Sequence, residues 1–313
     1  MRCILNLMPN PRLFQVLLRE IFAARTLPRE PEPALVMDDP DQVAAYAQAG
    51  RIDGVMAAAY LFHTARISQV IRGCHRVVDL GCGPATQLAQ VAQLNPSIEF
   101  LGIDMSAEML TDAEKHISDL GLANVRFQPG DMTELRDVET QSADAVISTM
   151  ALHHLPTNDH LRACFREIRR IMRGDAACYL VDFGRLKSLK SVIFFAYMNR
   201  AHQPHLFSLD YERSLRAAFE YETLRKMAVD ELPLHLSVIS TFKMPFLTIV
   251  KSQDRPLPNE VLGRLQRMRE ALPQRYRRDL DDMRLFFRLG GLRNDPFKDC
   301  KRQDIKKPRA GGV

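Results

Sequence analysis

The sequence contains no tryptophan, and its six cysteines stand singly. Cys3, Cys74, Cys82, Cys164, Cys178 and Cys300 form no C-x-x-C pair, and the closest two, Cys74 and Cys82, are eight positions apart. That spacing excludes a zinc ribbon and a disulfide scaffold, and it fits a reducing compartment. A cytoplasmic location is the expectation, and no metal site is expected. Long apolar runs are also missing. A run such as Val192–Met198 falls far short of the ~20 residues of a membrane span. Near the start, Asn6, Pro9, Asn10 and Pro11 interrupt any signal-peptide core, which argues against secretion. Net charge is small, +5 over 313 residues, but unevenly placed. From Lys251 onward there are 17 Lys and Arg against 9 Asp and Glu, whereas the rest carries 26 against 29. The basic character therefore belongs to the C-terminal part.

What is present centres on Arg76–Met105. Arg76–Leu80 is a short apolar run with adjacent valines, the pattern of a buried strand. Gly81, Cys82, Gly83 and Pro84 follow at once. The glycines allow a tight turn and close approach of a ligand, and Pro84 suits the start of a helix. Ala85, Leu88, Ala89, Val91 and Ala92 recur at helical spacing until Asn95-Pro96. Ile98–Ile103 is a second strand that ends on Asp104. This is a βαβ unit of the nucleotide-binding type, in which a strand-end acid accepts ribose hydroxyls. A dinucleotide fingerprint would place glycine or alanine where Thr86 stands. It would also have little use for Asp79, two residues before the first glycine, because pyrophosphate is an anion. An acid there suits a ligand that brings a cation.

Downstream, Ser106 is placed to cap a helix bearing Met109, Leu110, Ala113, Ile117 and Leu120, ended by Gly121. Val125–Phe127 is a third strand, followed by Gly130-Asp131-Met132. Ala143–Ser148 is a fourth, and Thr149–Pro156 leaves its carboxyl end carrying His153 and His154. The next helix closes at Gly174, and Ala176–Val181 is a fifth strand ending on Asp182. Leu215–Val229 reads as one helix. Leu236–Thr241 and Phe246–Lys251 are too close in sequence to be parallel, so they form an antiparallel pair.

The pattern D-x-G-x-G-x-A with a strand-end acid, five parallel strands and a terminal antiparallel hairpin resembles class I S-adenosylmethionine (SAM)-dependent methyltransferases, of the small-molecule (type 11) kind. The resemblance covers about residues 71–251. It implies an α/β, Rossmann-like seven-stranded sheet flanked by helices, with an N-terminal helical cap, and SAM as cofactor. It further implies a cofactor site built from Asp79, Gly81, Cys82, Gly83, Asp104, Met105, Asp131, Met132, Ser148 and Thr149. Asp104 would take the ribose, Asp131 the adenine amino group, Met105 the ring face, and the backbone at Ser148 and Thr149 the methionine ammonium. A Cβ at Gly81 would be expected to occupy ligand space.

The domain reading is a cap and linker over residues 1–70, the SAM-binding domain over 71–251 with a lid-like aromatic insertion at 184–213, and a basic, partly disordered tail over 252–313. Within 1–70, residues 28–40 hold four prolines and read as a linker. His153 and Asp182 are the candidate catalytic residues, with His153 a possible base. Tyr60 and Tyr197 are substrate-side candidates, and Tyr46 and His63 belong to the same group of possible pocket residues. The acceptor expected is the O, N or C nucleophile of a small aromatic or apolar metabolite. Two alternatives stand beside it: an enzyme acting on RNA or another anionic macromolecule through the basic tail, and a scaffold that binds SAM without turnover.

Overall fold

The computed structural model describes residues 10–33, 39–50, 54–232 and 236–298, less the side chains of Pro40, Tyr46 and Ala47. The parallel strands form because their alternating residues are buried on both faces. These are β1 (Arg76–Leu80), β2 (Glu99–Asp104), β3 (Val125–Pro129), β4 (Ala143–Thr149) and β5 (Met172–Phe183). Val77, Ala145, Ile147 and Tyr179 face one apolar cluster, and Val78, Leu80, Val146 and Leu180 face the other. Parallel sheets need this two-sided cover, which the crossover helices supply. β6 (Ser237–Ser240) and β7 (Leu247–Lys251) complete a seven-stranded sheet of order β3-β2-β1-β4-β5-β7-β6, with β7 antiparallel to both neighbours. The expected Rossmann-like methyltransferase sheet with its terminal hairpin is the one observed. Strand order reverses between β1 and β4, so a crevice opens at their carboxyl ends.

Helices α1 (Pro11–Phe22), α2 (Pro40–Gly50) and α3 (Ala57–Val70) precede the sheet. α4 (Thr86–Leu94) and α5 (Ala107–Asp119) link the first strands, and Ser106 caps α5 by accepting from Met109 N at 3.0 Å. α6 (Asn158–Ile171) then leads directly into β5, so Gly174 lies inside a strand and does not end the helix as expected. α7 (Leu189–Tyr197) and α8 (His205–Ala217) make up much of the aromatic insertion. The single helix expected over Leu215–Val229 is two, α8 and α9 (Tyr221–Glu231). The break serves Phe219, whose backbone bridges to Gly184 at the end of β5 and whose ring is buried.

The arginine-rich C-terminal stretch contributes to the core. α10 (Asn259–Ala271) and α11 (Gln274–Leu289) bury Leu265, Tyr276, Leu280 and Phe287, and Phe287 stacks on Phe62 of α3 with ring centroids 5.2 Å apart. Two of their eight arginines form ion pairs among the described residues, Arg269 with Asp281 at 2.8 Å and Arg284 with Asp295 at 2.8 Å. Phe287→Ala is therefore expected to cost about 3–5 kcal/mol of stability, measured by denaturant unfolding. A loss under ~1 kcal/mol would mean that the helix is only draped over the domain.

Candidate active site

The crevice at the β1–β4 switch point opens into a cleft of about 240 Å³. Its floor is the turn after β1. Gly81 and Gly83 both have left-handed φ, +70° and +52°, which the turn requires. They do different things. A Cβ on Gly81 would fall on the methyl group of Ala151 in the loop after β4, and 3.3 Å from Met132 Cε. Gly81 lines the cleft, but a side chain there is excluded by protein packing and not, as expected, by ligand space. A Cβ on Gly83 would meet nothing within 4 Å, so this glycine leaves the open space. Cys82 turns away from the cleft. Its buried sulfur packs against Gly102 of β2, and burial together with Asp79 and Asp104 pushes its thiol pKa well up.

Three carboxylates surround this floor. Asp104 accepts from Gly83 N (2.8 Å) on one oxygen and from Ser106 N (3.0 Å) on the other, which locks the β2 end to the glycine turn. Each oxygen keeps a lone pair for a further donor. Asp131 folds over its own turn, with Oδ1 accepting from Thr133 N and Oγ1. Asp104, Met105, Asp131 and Met132 all line the cleft. Met105 is 43% exposed, unusual for methionine and fitting for an apolar face left open. Asp79 sits beneath the turn, 4% exposed, and does not itself line the cleft. Burial, with the charge of Asp104 added, holds its carboxyl pKa well above the ordinary range, and no described group donates a hydrogen bond to it. Burial without a described donor favours the neutral carboxyl, and a cation arriving beside it would favour the carboxylate. Ser148 and Thr149 end β4 under the cleft and do not line it. Ser148 Oγ donates to Leu80 O at 2.7 Å, and Met150 (φ +56°) and Ala151 form the wall instead.

At the other end His153 lines the cleft from a short 3-10 turn, Leu152–His154, that β4 releases. Its Nδ1 is 2.7 Å from Asp182 Oδ1, and Asp182 Oδ2 accepts from His153 N at 2.9 Å, so one carboxylate fixes both backbone and ring. Burial alone would lower the imidazole pKa. The charge and hydrogen bond of Asp182, with Glu32 beyond, outweigh that and raise it. Sequence reasoning missed what lies next. Glu32, in the proline-rich segment read as a linker, reaches within 2.5 Å of His154 Nδ1 and 4.0 Å of His153 Nε2. Arg29 of the same segment donates to the carbonyls of His153, Leu155, Pro156 and Ala217. Prolines marked this segment as a linker, and nothing in its pattern pointed to a docking surface.

A second cavity of about 140 Å³ adjoins the first and shares with it Met56, Met150, Phe183, Phe207 and Tyr211. Apart from Asn199, Gln203 and two aspartates of α11, its lining is apolar and aromatic. Phe207 and Tyr211 are one turn apart on α8, so the insertion does put an aromatic face on the site. The two substrate-side tyrosines do not reach it. Tyr60 is buried beside Gly50, and Tyr197 packs on the core outside both cavities. His63 is a core histidine: its Nδ1 lies 2.7 Å from Tyr179 Oη, and burial drives its pKa down to about 3. The side chain of Tyr46 lies outside the described residues. Among the described residues no helix is long and apolar enough to cross a membrane.

Residues 73–213 match a family model described as a methyltransferase domain. Among curated relatives, the trans-aconitate 2-methyltransferase of Deinococcus radiodurans is 43% identical over 88 residues, 28% of this chain and 31% of that protein. The uncharacterized methyltransferase YcgJ of Bacillus subtilis is 31% identical over 135 residues, 42% of this chain and 50% of that protein. The chain thus spans a third to a half of the length of these relatives. A solved Nostoc punctiforme structure, provisionally assigned as an O-methyltransferase, superposes with a TM-score of 0.50 at 18% identity, over 76% of this chain and 68% of that one. This last likeness is one of fold.

Proposed function

We propose that this chain, a member of the class I SAM-dependent methyltransferase family through residues 73–213, transfers a methyl group from SAM to a small apolar or aromatic acceptor. The observation that carries the reading is an open glycine turn lined by Asp104 and Asp131, with the buried carboxyl of Asp79 directly beneath it. The three acids match the parts of SAM in order. Asp79 answers the α-ammonium end, Asp104 the ribose hydroxyls and Asp131 the adenine amino group, with Met105 and Met132 against the ring. Gly83 leaves the space, and Ser148 and Thr149 carry the wall residues Met150 and Ala151. A pyrophosphate in the same place would meet a buried acid. When bound, SAM supplies a methyl already activated on a sulfonium centre, so the protein's task is to position the acceptor and exclude water.

The acceptor belongs in the adjoining apolar cavity, which shares five lining residues with the cofactor cleft. Helices before β1 cap it, and Phe207 and Tyr211 of the insertion form its lid-side wall. His153 lines the cofactor cleft, and its ring lies 5.2 Å from that of Phe183, which both cavities share. A hydroxyl, amine or acidic C–H acceptor would lose its proton to His153 Nε2, with Asp182 holding the ring by Nδ1. The RNA alternative is less well supported, because α10 and α11 bury Leu265, Tyr276, Leu280 and Phe287 against the domain, and Arg269 and Arg284 pair with Asp281 and Asp295.

Calorimetry with SAM tests the cofactor assignment. Asp104→Ala should weaken binding by about 1–3 kcal/mol while the protein stays folded. Wild-type protein that ignores SAM but binds a dinucleotide would sink the assignment, and SAM binding with no methyl release to any acceptor would favour the scaffold alternative. The two glycines separate packing from ligand space. Gly81→Val should unfold or grossly destabilise the turn, because its Cβ collides with Ala151. Gly83→Ala should cost only ~1–2 kcal/mol of stability for its left-handed φ yet lose SAM affinity, read by thermal melts with and without SAM.

A further inference from the structure

Glu32 lies outside the matched domain, and the mechanism just described does not use it. Its surroundings are nevertheless built. Arg29 fastens the segment to the loop after β4 and to the end of α8 through four backbone carbonyls, and its guanidinium lies 3.9 Å over the ring of Phe219. Three residues on, the Glu32 side chain is 12% exposed and both its oxygens are occupied. Oε2 meets His154 Nδ1 at 2.5 Å, and Oε1 accepts from Ser214 Oγ of α8 at 2.8 Å. Oε1 also lies 4.0 Å from His153 Nε2, the nitrogen that Asp182 leaves free.

We propose that Glu32 is a positioning residue for His153, delivered by an N-terminal strap, so that the catalytic imidazole sits between two carboxylates contributed by separate parts of the chain. This rests on the methyltransferase reading for its purpose and on geometry for its existence. Asp182 fixes Nδ1 and hence the tautomer. Glu32 faces Nε2 across the cleft edge, near enough to favour the imidazolium that forms when a proton arrives, and too far to consume the lone pair by hydrogen bonding. His154, tied to the same carboxylate and 30% exposed, holds Glu32 in place from the solvent side. The other charged groups facing this pair are Arg29, which opposes protonation of His153, and Asp210 of α8, which lines the cleft beside Glu32. Hydrogen bonding satisfies the cluster without an ion, although Glu32, His153 and His154 are a set that could hold a metal.

The test follows the His153 imidazole by NMR pH titration of histidine-labelled, full-length protein without SAM. In Glu32→Gln the His153 midpoint should fall, Glu32→Asp should recover part of the shift, and SAM affinity by calorimetry should not change. If Glu32→Gln does not fold, Ser214→Ala, which only loosens Glu32, must move the midpoint in the same direction. An unchanged His153 midpoint in a folded Glu32→Gln overturns the proposal, since Glu32 would then serve His154 alone. Equimolar Zn²⁺ that shifts both histidines and is displaced by Glu32→Gln also overturns it, by making the three residues metal ligands. Wild-type protein that fails to bind SAM would remove the cofactor reading but leave the Glu32 result standing.

Discussion

Replacing Asp79 by asparagine is expected to raise the stability of the protein at neutral pH and to weaken SAM binding by about 1.5–3 kcal/mol, one to two orders of magnitude in Kd. The two effects have one cause. Asp79 is buried beneath the glycine turn, next to Asp104 and with no described donor, so its carboxyl pKa is held well above the ordinary value of 3.8. A group whose folded pKa is raised gives its full contribution to stability below its unfolded pKa and loses it as pH rises through the folded pKa. Wild-type stability should therefore fall as pH climbs above about 4, and Asp79→Asn should remove that slope. An ammonium group brought by the ligand would restore the missing partner, so SAM binding should be tighter at pH values where Asp79 would otherwise be forced to ionise alone. Thermal melts across pH, with and without SAM, measure both halves. An Asp79→Asn protein that is less stable and binds SAM as well as wild type would show that Asp79 holds the turn and not the ligand.

The glycine turn and the acids of the cleft were legible because their geometry is local in sequence. β1, the glycine turn and Asp104 lie within one βαβ unit, where a few residue types at fixed spacing carry both the backbone geometry and the ligand contacts. The sheet was legible for a similar reason: parallel strands are continuous apolar runs, and a short connection forces the terminal hairpin to be antiparallel. Packing between distant segments was not legible. Gly81 looked like ligand space, yet its constraint is Ala151, seventy positions away. Tyr60 and Tyr197 have the amphipathic chemistry of pocket residues, but their helices turn them into the core. Phe219 ends α8 early because its backbone is wanted at the end of β5, a demand that no local propensity records. The strap is the clearest case. Arg29 acts through backbone carbonyls, which every sequence has, so the residues it clamps leave no mark in the pattern. The arginine-rich helices misled in the opposite sense: composition reported their charge, and the structure shows an apolar face that docks on α3.

His153→Ala should lower kcat by about 10²–10⁴-fold with SAM affinity intact, the range for removing a positioned acid–base group. Asp182→Asn should lower it too, and through a different route. Asp182 accepts from His153 N, Phe183 N and the ring, so an amide must surrender at least one of these bonds and leave the imidazole free to choose the wrong tautomer. The pH dependence distinguishes a base from a bystander. A base works in its neutral form, so turnover should rise with pH through the pKa of His153. Burial pulls that pKa down, but the charge and hydrogen bond of Asp182 outweigh burial and carry it above the ordinary imidazole value of 6.5. In Asp182→Asn the rise should move to lower pH while the plateau drops, since the imidazole loses the charge that favoured its protonated form. Formation of the demethylated cofactor product, followed across pH for an acceptor found on an aromatic panel, reads all three proteins. If His153→Ala keeps the wild-type plateau, the acceptor arrives already deprotonated. His153 would then be a wall of the cleft whose partners, Asp182 and Glu32, serve only to hold that wall in place.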